Sequence, residues 1–295
     1  MMETINKRSL RQRWMTYRQN PLSLLLFLLV TLSCCITVFV LIFIIGYILV
    51  KGIPYLTPQL FAWEYNSVNV SLLPSLINTL LMVVLSLVIA IPFGIFTAIY
   101  LVEYAKRGNK LVGAIRITAE TLSGIPSIVY GLFGLLFFVT ALHWGMSLLA
   151  GAFTVSMMIL PLILRTTEEA LKAVPDSFRE GSFGLGAGRL RTVFRIVLPS
   201  ALPGILAGVI LAVGRIVGET AALLYTAGTV AKVPDGRDFL LDSTRTLSLH
   251  MYALSSEGLY VNQAYATAVV LLLIILMING LSGYFAKKLM TVNQK

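Results

Sequence analysis

Long apolar runs alternate with short polar ones along the whole chain. Leu22–Val50 holds 29 residues without a charge. At about 1.5 Å per helical residue this run exceeds a hydrocarbon core of about 30 Å, so it spans with tilt. Leu72–Val102 is again free of charge, with Pro74 suited to its start, Pro92 and Gly94 placed to kink it, and Asn78 as its one amide. Further runs cover Ile125–Leu142, Met146–Leu164, Ile196 to about Thr229, and Ala264–Ala286. A span in lipid must satisfy its own backbone, which leaves helices as the reading. The pattern predicts an all-α, polytopic membrane protein with six transmembrane helices.

The breaks between runs carry local signals. Leu111–Leu122 reads as an amphipathic lead-in, with Arg116 and Glu120 spaced to pair at i,i+4. Pro126 removes a backbone donor, so the third span bends or starts afresh there, with Ser127 or Tyr130 available to a freed carbonyl. Gly131 and Gly134 permit close helix contact. His143-Trp-Gly reads as a tight turn, and Leu247, Met251 and Leu254 mark a short interfacial helix in the loop before the last span. Trp63 and Tyr65 suit an outer membrane interface.

Glu180–Pro199 is the longest polar interruption after the first third of the chain that keeps helical periodicity. Ser177 and Glu180 are spaced as a capping box, which predicts a helix start at that point. Gly184, Gly186 and Gly188 break that helix, and a second begins near Arg189, with Leu190, Val193, Phe194 and Val197 on one face. Gly186 is expected where the backbone turns and a side chain would clash.

Composition narrows the class. Hydrophobic residues make up 57% of the chain and charged residues only 12%, far from the quarter typical of soluble domains. The net charge of +10 follows from the positive-inside rule and does not call for nucleic acid. With the N-terminus inside, the cytosolic segments hold 18 Lys and Arg and the outer loops four. Both termini are then cytosolic, and the first run is an uncleaved anchor. Cys34 and Cys35 fit no metal or disulfide spacing, and no cofactor motif is present. No Walker A sequence occurs, so ATP-driven transport would place hydrolysis on another chain. An intramembrane enzyme would need a nucleophile and a base within the bilayer, and no Gly-x-Ser-x-Gly is present. An ion-driven secondary transporter would have no use for the Glu180–Pro199 pattern.

Two charges interrupt the fifth run, Arg215 and Glu219, at i,i+4. Each would cost about 2.5–3.5 kcal/mol at mid-membrane on insertion scales. They are expected to face each other, either as a translocation-path site in which Arg215 attracts an anion and Glu219 is its resting counter-ion, or as a structural ion pair. Arg165, leaving the fourth span, reads as a gate residue or as a positive-inside anchor.

The Glu180–Pro199 stretch resembles the cytoplasmic coupling loop of ABC-importer permeases, with Glu180, Gly186, Ile196, Leu198 and Pro199 at matching spacings and Gly181 and Ser182 in place of two alanines. Glu103-Tyr104, Pro126–Leu132, Arg165-Thr-Thr-Glu, Val174-Pro, Arg179-Glu180 and Arg215-Ile-Val-Gly-Glu-Thr-Ala are together similar to the PstA-type permeases of bacterial phosphate importers. The resemblance implies a type I ABC importer permease fold, with a basic tail over 1–21, a first helix and outer loop over 22–71, a permease domain over 72–286 and a cytosolic tail over 287–295. It implies a path or gate at Arg215, Glu219, Arg165, Thr220 and Asn78, and ATPase coupling through Arg179, Glu180, Gly181, Ser182, Gly186, Ile196 and Pro199. The implied partners are a second permease of the PstC type, an ATPase dimer of the PstB type and an extracytoplasmic phosphate-binding protein of the PstS type. Molybdate, sulfate or an amino acid is the alternative cargo.

Overall fold

The structure is a computed structural model and describes residues 21–106 and 108–292. The basic tail as far as residue 20, Arg107 and residues 293–295 of the expected C-terminal tail lie outside the described residues. The chain divides into two compact units, Met1–Lys51 and Gly52–Lys295.

In the first unit, α1 (Pro21–Gly52) runs unbroken as far as Lys51. Its large apolar side chains are exposed along nearly its whole length, and Cys34 and Cys35 are free and exposed. Its hydroxyls turn inward to the backbone: Thr31 donates to the Phe27 carbonyl at 2.8 Å and Thr37 to that of Ser33 at 2.9 Å. A hydroxyl on a lipid-facing helix has no water to bond, so this back-bonding leaves an apolar surface.

The second unit holds the rest. α2 (Leu73–Ile99) ends in a π-turn, Tyr100–Tyr104. α3 (Lys110–Ser123) is followed by α4 (Ser127–Gly134), which a π-turn extends through Leu135–Ala141. Then come α5 (Leu148–Lys172), α6 (Asp176–Gly184) and the single turn α7 (Arg189–Thr192). A π-turn at Val193–Val197 joins α7 to α8 (Leu198–Gly218). α9 (Ala221–Thr226), α10 (Leu247–Glu257) and α11 (Val261–Val292) complete the unit. Counting α1, five helices among the described residues are long and apolar enough to cross a membrane, six if the pair α3–α4 counts as one broken span.

α5 is the axis of the unit. Its apolar window is 67% buried, against 33% for α2 and 28% for α8 and α11. Met158, Ile159 and Ile163 on α5 pack with Met82 on α2, Ile216 on α8 and Leu223 on α9. The other helices keep an apolar outer face, as helices in lipid do.

Several sequence expectations hold. α3 and α4 break at Pro126 with a bend of 102°, and the Tyr130 hydroxyl donates to the Leu122 carbonyl at 2.8 Å across the break. α10 forms where Leu247, Met251 and Leu254 predicted a helix. His143 and Gly145 take positive φ in the expected turn.

Others are corrected. The capping box at Ser177 and Glu180 does not form: α6 begins at Asp176, one residue earlier, after Pro175. The proline fixes its own φ and Asp176 places a carboxylate in the first turn, so no Ser cap is needed. α5 does not stop at Leu164 but runs two turns further to Lys172, carrying Arg165 within the helix. The fifth span does not reach Thr229. It runs from Arg189 to Gly218 and stops.

At the far end of α5 from α6, the loop after α9 closes over the helix ends through backbone bonds. Leu148 and Leu149 N–H donate to the Asp242 and Leu240 carbonyls at 2.9 and 2.8 Å, and Ser147 N–H to that of Thr226 at 2.9 Å. These are the first N–H groups of α5, which have no partner within the helix. The loop is tied back on itself by Thr244 N–H to the Ala227 carbonyl at 2.9 Å and Arg245 N–H to that of Val230 at 3.0 Å.

Candidate functional site

The end of α8 decides the geometry of the Arg215/Glu219 motif. Gly218 closes the helix, and Glu219 takes an extended ψ of 128°. Its carboxylate Oε1 accepts from Ala222 N–H at 2.9 Å. A carboxylate on a free N–H at a helix start is stabilised by the bond and by the helix dipole, in a cap worth about 0.5–2 kcal/mol. The Glu219 carbonyl accepts from the Ser248 hydroxyl at 2.6 Å, which ties α10 to the same break. Thr220 is the half-buried residue preceding α9, its hydroxyl 3.5 Å from the Gly218 carbonyl. The expected Arg215–Glu219 ion pair is therefore absent. The i,i+4 spacing brings two residues together only within one helix, and the helix ends between them.

Arg215 instead faces a cavity of about 360 Å³ lined also by Arg116, Glu120, Arg165, Glu168, Glu169 and Lys172. Four cations thus meet three carboxylates. Glu168 is nearly buried and bridges Arg116 at 2.6 Å and Lys172 at 2.7 Å, joining α3 to α5. Arg116 therefore pairs across helices and not with Glu120, as its spacing within α3 suggested. Arg165 pairs with Glu169 at 3.2 Å on the exposed surface of α5. Arg215 makes no ion pair or hydrogen bond among the described residues. Arg165 and Arg215 thus line one cavity, with Arg215 and Glu120 left outside its ion pairs.

Asn78 lies elsewhere. Its side-chain amide is fully buried and donates to the Lys232 and Arg245 carbonyls at 2.9 and 3.3 Å, holding the loop that covers the other end of α5. Thr79 beside it accepts from Leu247 N–H at 2.8 Å. Nearby, burial pushes His250 down to about 4, with Arg245 adding to the shift, so the imidazole is neutral at neutral pH.

The coupling stretch forms a helix–turn–helix. Gly186 has φ +80°, and a Cβ there would meet nothing within 4 Å. The expectation of a steric clash is corrected: the left-handed backbone is what requires glycine. Ser182 is buried, its hydroxyl 2.8 Å from that of Thr192, which fastens α6 to α7. Glu180, Gly181 and Pro199 are exposed and Ile196 is half-buried. Phe178, Phe183, Leu185 and Leu190 are exposed too, Leu185 by 91%. Apolar side chains clustered on a polar connecting segment are what a protein or membrane contact covers. Arg179 turns inward, with its side chain 15% exposed and paired with Glu103 at 2.7 Å.

Sequence reasoning missed Glu168, Glu103 and the Ser182–Thr192 pair. Glu168 had a signal, since Arg165-Thr-Thr-Glu-Glu continues the helical period of the fourth span. The others had none beyond their position in familiar stretches.

A long apolar bundle around one central helix, with a helix–turn–helix between two spans, is the architecture of a polytopic membrane protein. Residues 90–291 match the family described as binding-protein-dependent transport system inner membrane component, and the chain belongs to it. It is 32% identical over 240 residues to the probable ABC transporter permease protein YqgI of Bacillus subtilis, covering 77% of this chain and 81% of that one. It is 38% identical over 154 residues to the phosphate transport system permease protein PstA 1 of Mycobacterium tuberculosis, covering 52% of this chain and only about half, 49%, of the relative. The fold matches a solved bacterial alginate ABC transporter in complex with alginate pentasaccharide-bound periplasmic protein, at 18% identity and a TM-score of 0.63, over 93% of this chain and 98% of that one. The chain is thus an all-α ABC importer permease with the type I fold, similar over about half their length to PstA permeases. Membership implies a transport subunit whose ATPase is a partner chain, beside a second permease and a substrate-binding protein.

Proposed function

We propose that this chain is the PstA-type half of an ATP-driven importer of inorganic phosphate. The observation that carries this reading is Arg215, a guanidinium within a span, facing the same cavity as Arg165 and making no ion pair among the described residues. A hydrated anion gives up part of its water on entering a membrane path, and fixed positive charge replaces it. The phosphate-transport names of the PstA relatives support the choice of anion. The partners are then a PstC-type permease, a PstB-type ATPase dimer docked on α6 and α7, and a PstS-type binding protein on the opposite side. Glu180, Gly181, Gly186, Ile196 and Pro199 shape the docking face, and Asn78, Glu219 and Thr220 hold the opposite end of the path in register.

The test is uptake of radiolabelled phosphate by the four-protein complex in proteoliposomes. ATP-dependent uptake is expected, unaffected by tenfold excesses, roughly, of sulfate or molybdate. Uptake of sulfate or molybdate in its place would transfer the reading to that anion.

The orientation proposed is N-terminus in, with α6 and α7 cytosolic. Single cysteines at Ser67 and Ser256, in a chain lacking Cys34 and Cys35, are expected to react with an impermeant reagent in intact cells. One at Ser177 is expected to react only after the cells are opened. Labelling of Ser177 from outside would invert the topology and remove the docking assignment.

A further inference from the structure

Arg179 is the most fully used side chain in the described structure. Nη2 donates to the Glu103 carboxylate at 2.7 Å and to the Leu171 carbonyl at 2.9 Å. Nη1 donates to the Val174 carbonyl at 2.8 Å and to Asp176 at 3.1 Å, and Nε donates to Glu103 at 3.1 Å. All five N–H donors of the guanidinium are engaged. Leu171 and Val174 lie at the end of α5, where the Leu171 carbonyl also takes a 3.4 Å bond from Val174 N–H in the closing turn. Glu103 sits in the π-turn that ends α2, and its side chain is 8% exposed. One side chain on α6 therefore holds the ends of α2 and α5. The next residue, Tyr104, lies under the Arg189 guanidinium at 5.8 Å, so α7 is tied to the same π-turn. The Ser182–Thr192 bond joins α6 to α7.

We propose that Arg179 and Glu103 are the positioning pair that carries movement of the coupling element into α2 and α5. The proposal rests on the reading that α6 and α7 dock an ATPase. A docked helix moves as a rigid body, but its motion reaches the path only through groups that do not slip. α6 joins α5 through the short connection Ala173–Pro175, which by itself can swing. Arg179 locks that connection by bonding both of its ends, and through Glu103 it adds a second, separate attachment at α2. α2 and α5 form the most extensive helix contact in the unit. α5 also carries Arg165 and Glu168 into the charged cavity, so whatever moves α5 moves that cavity. A lysine keeps the charge of Arg179 but offers a single ammonium, which cannot reach two carbonyls and a carboxylate in one plane.

The test uses the complete complex of both permeases, the ATPase and the binding protein, purified and reconstituted, with inorganic phosphate as the probe. The quantity read is ATP hydrolysed per phosphate imported, which a loss of folding or assembly alone leaves unchanged for the complexes that remain. Arg179→Lys is expected to raise it about tenfold, as the loss of several charge-assisted hydrogen bonds implies. Glu103→Gln, which keeps an acceptor but not the charge, is expected to raise it about threefold. A second readout needs no cargo. In a chain lacking Cys34 and Cys35, a cysteine at Ser123, on the cavity wall, is expected to change its labelling rate when ATP binds, and to lose that response in Arg179→Lys. A wild-type ratio with an intact labelling response in assembled Arg179→Lys complexes would overturn the proposal. If Arg179→Lys does not assemble, the same outcome in Glu103→Gln overturns it. Failure of the ATPase to co-purify with the unaltered chain removes the docking reading and the pair with it. Uptake of a different anion at a normal ratio corrects the substrate alone.

Discussion

Arg215→Gln is expected to reduce phosphate uptake about a hundredfold while the complex still assembles. The estimate follows from truncating one partner of a desolvated charge interaction, which costs roughly 2–5 kcal/mol. Here the other partner is the passing anion. Glutamine keeps most of the side-chain length and two donors, so packing around α8 is preserved and the charge is what is lost. The companion variant is Glu219→Gln. If Arg215 served only to neutralise Glu219, both variants would fail together. The structure separates them: Glu219 Oε1 accepts from Ala222 N–H, and a glutamine oxygen accepts from the same group. Glu219→Gln is therefore expected to keep most of its uptake. Equal losses in the two variants, or full uptake in Arg215→Gln, would remove the anion-path assignment.

Gly131→Leu is expected to destabilise the fold strongly. A Cβ at Gly131 would stand 2.8 Å from Ala222 Cα, 3.1 Å from the Ala222 carbonyl oxygen and 3.2 Å from that of Ala221. All three are backbone atoms, so no side chain can turn aside, and α4 must move away from α9. Overpacking of this kind costs about 3 kcal/mol. Gly113→Leu is the control, because a Cβ there meets nothing within 4 Å. In detergent, the Gly131 variant is expected to unfold at clearly lower denaturant concentration than the wild type, and the Gly113 variant at nearly the same. Coincident midpoints would mean that α4 and α9 do not need this approach. Because α9 begins at the Glu219 cap, a shifted α9 would also disturb the end of α8 that carries Arg215.

The parts of the molecule legible in the sequence are those written in short-range chemistry. Pro126 announced the break between α3 and α4, Gly131 the close approach, and Gly186 a turn, though its reason is a left-handed backbone and not the want of room the sequence suggested. The end of α8 was written there too, as Gly218-Glu-Thr, which carries a helix stop and a helix start together. The apolar residues on both sides outweighed it, since hydropathy measures solubility in lipid and is indifferent to whether a helix continues. The pairings of the site were not legible. Arg116 meets Glu168, and Glu103 meets Arg179 across 76 positions; a sequence lists charges without saying which helices bring them together. For Arg116 the local rule pointed to Glu120, and the longer-range partner won because α3 lies against α5 with that face inward.

The seal over the far end of α5 has a consequence for descent. At the helix end itself it is made from main-chain groups, Leu148 and Leu149 N–H meeting the Asp242 and Leu240 carbonyls, while the Asn78 amide holds the same loop from α2. Every amino acid supplies the carbonyl, and every one but proline supplies the N–H. Residue 240 can therefore change without loss of the closure, whereas residue 242 also uses its carboxylate, which accepts from Asp235 N–H at 3.3 Å. What the closure needs there is the path of the chain, so an insertion or deletion is expected to disturb it more than a substitution at residue 240. A region can then look unconstrained when residues are compared column by column, and still be among the least replaceable parts of the protein.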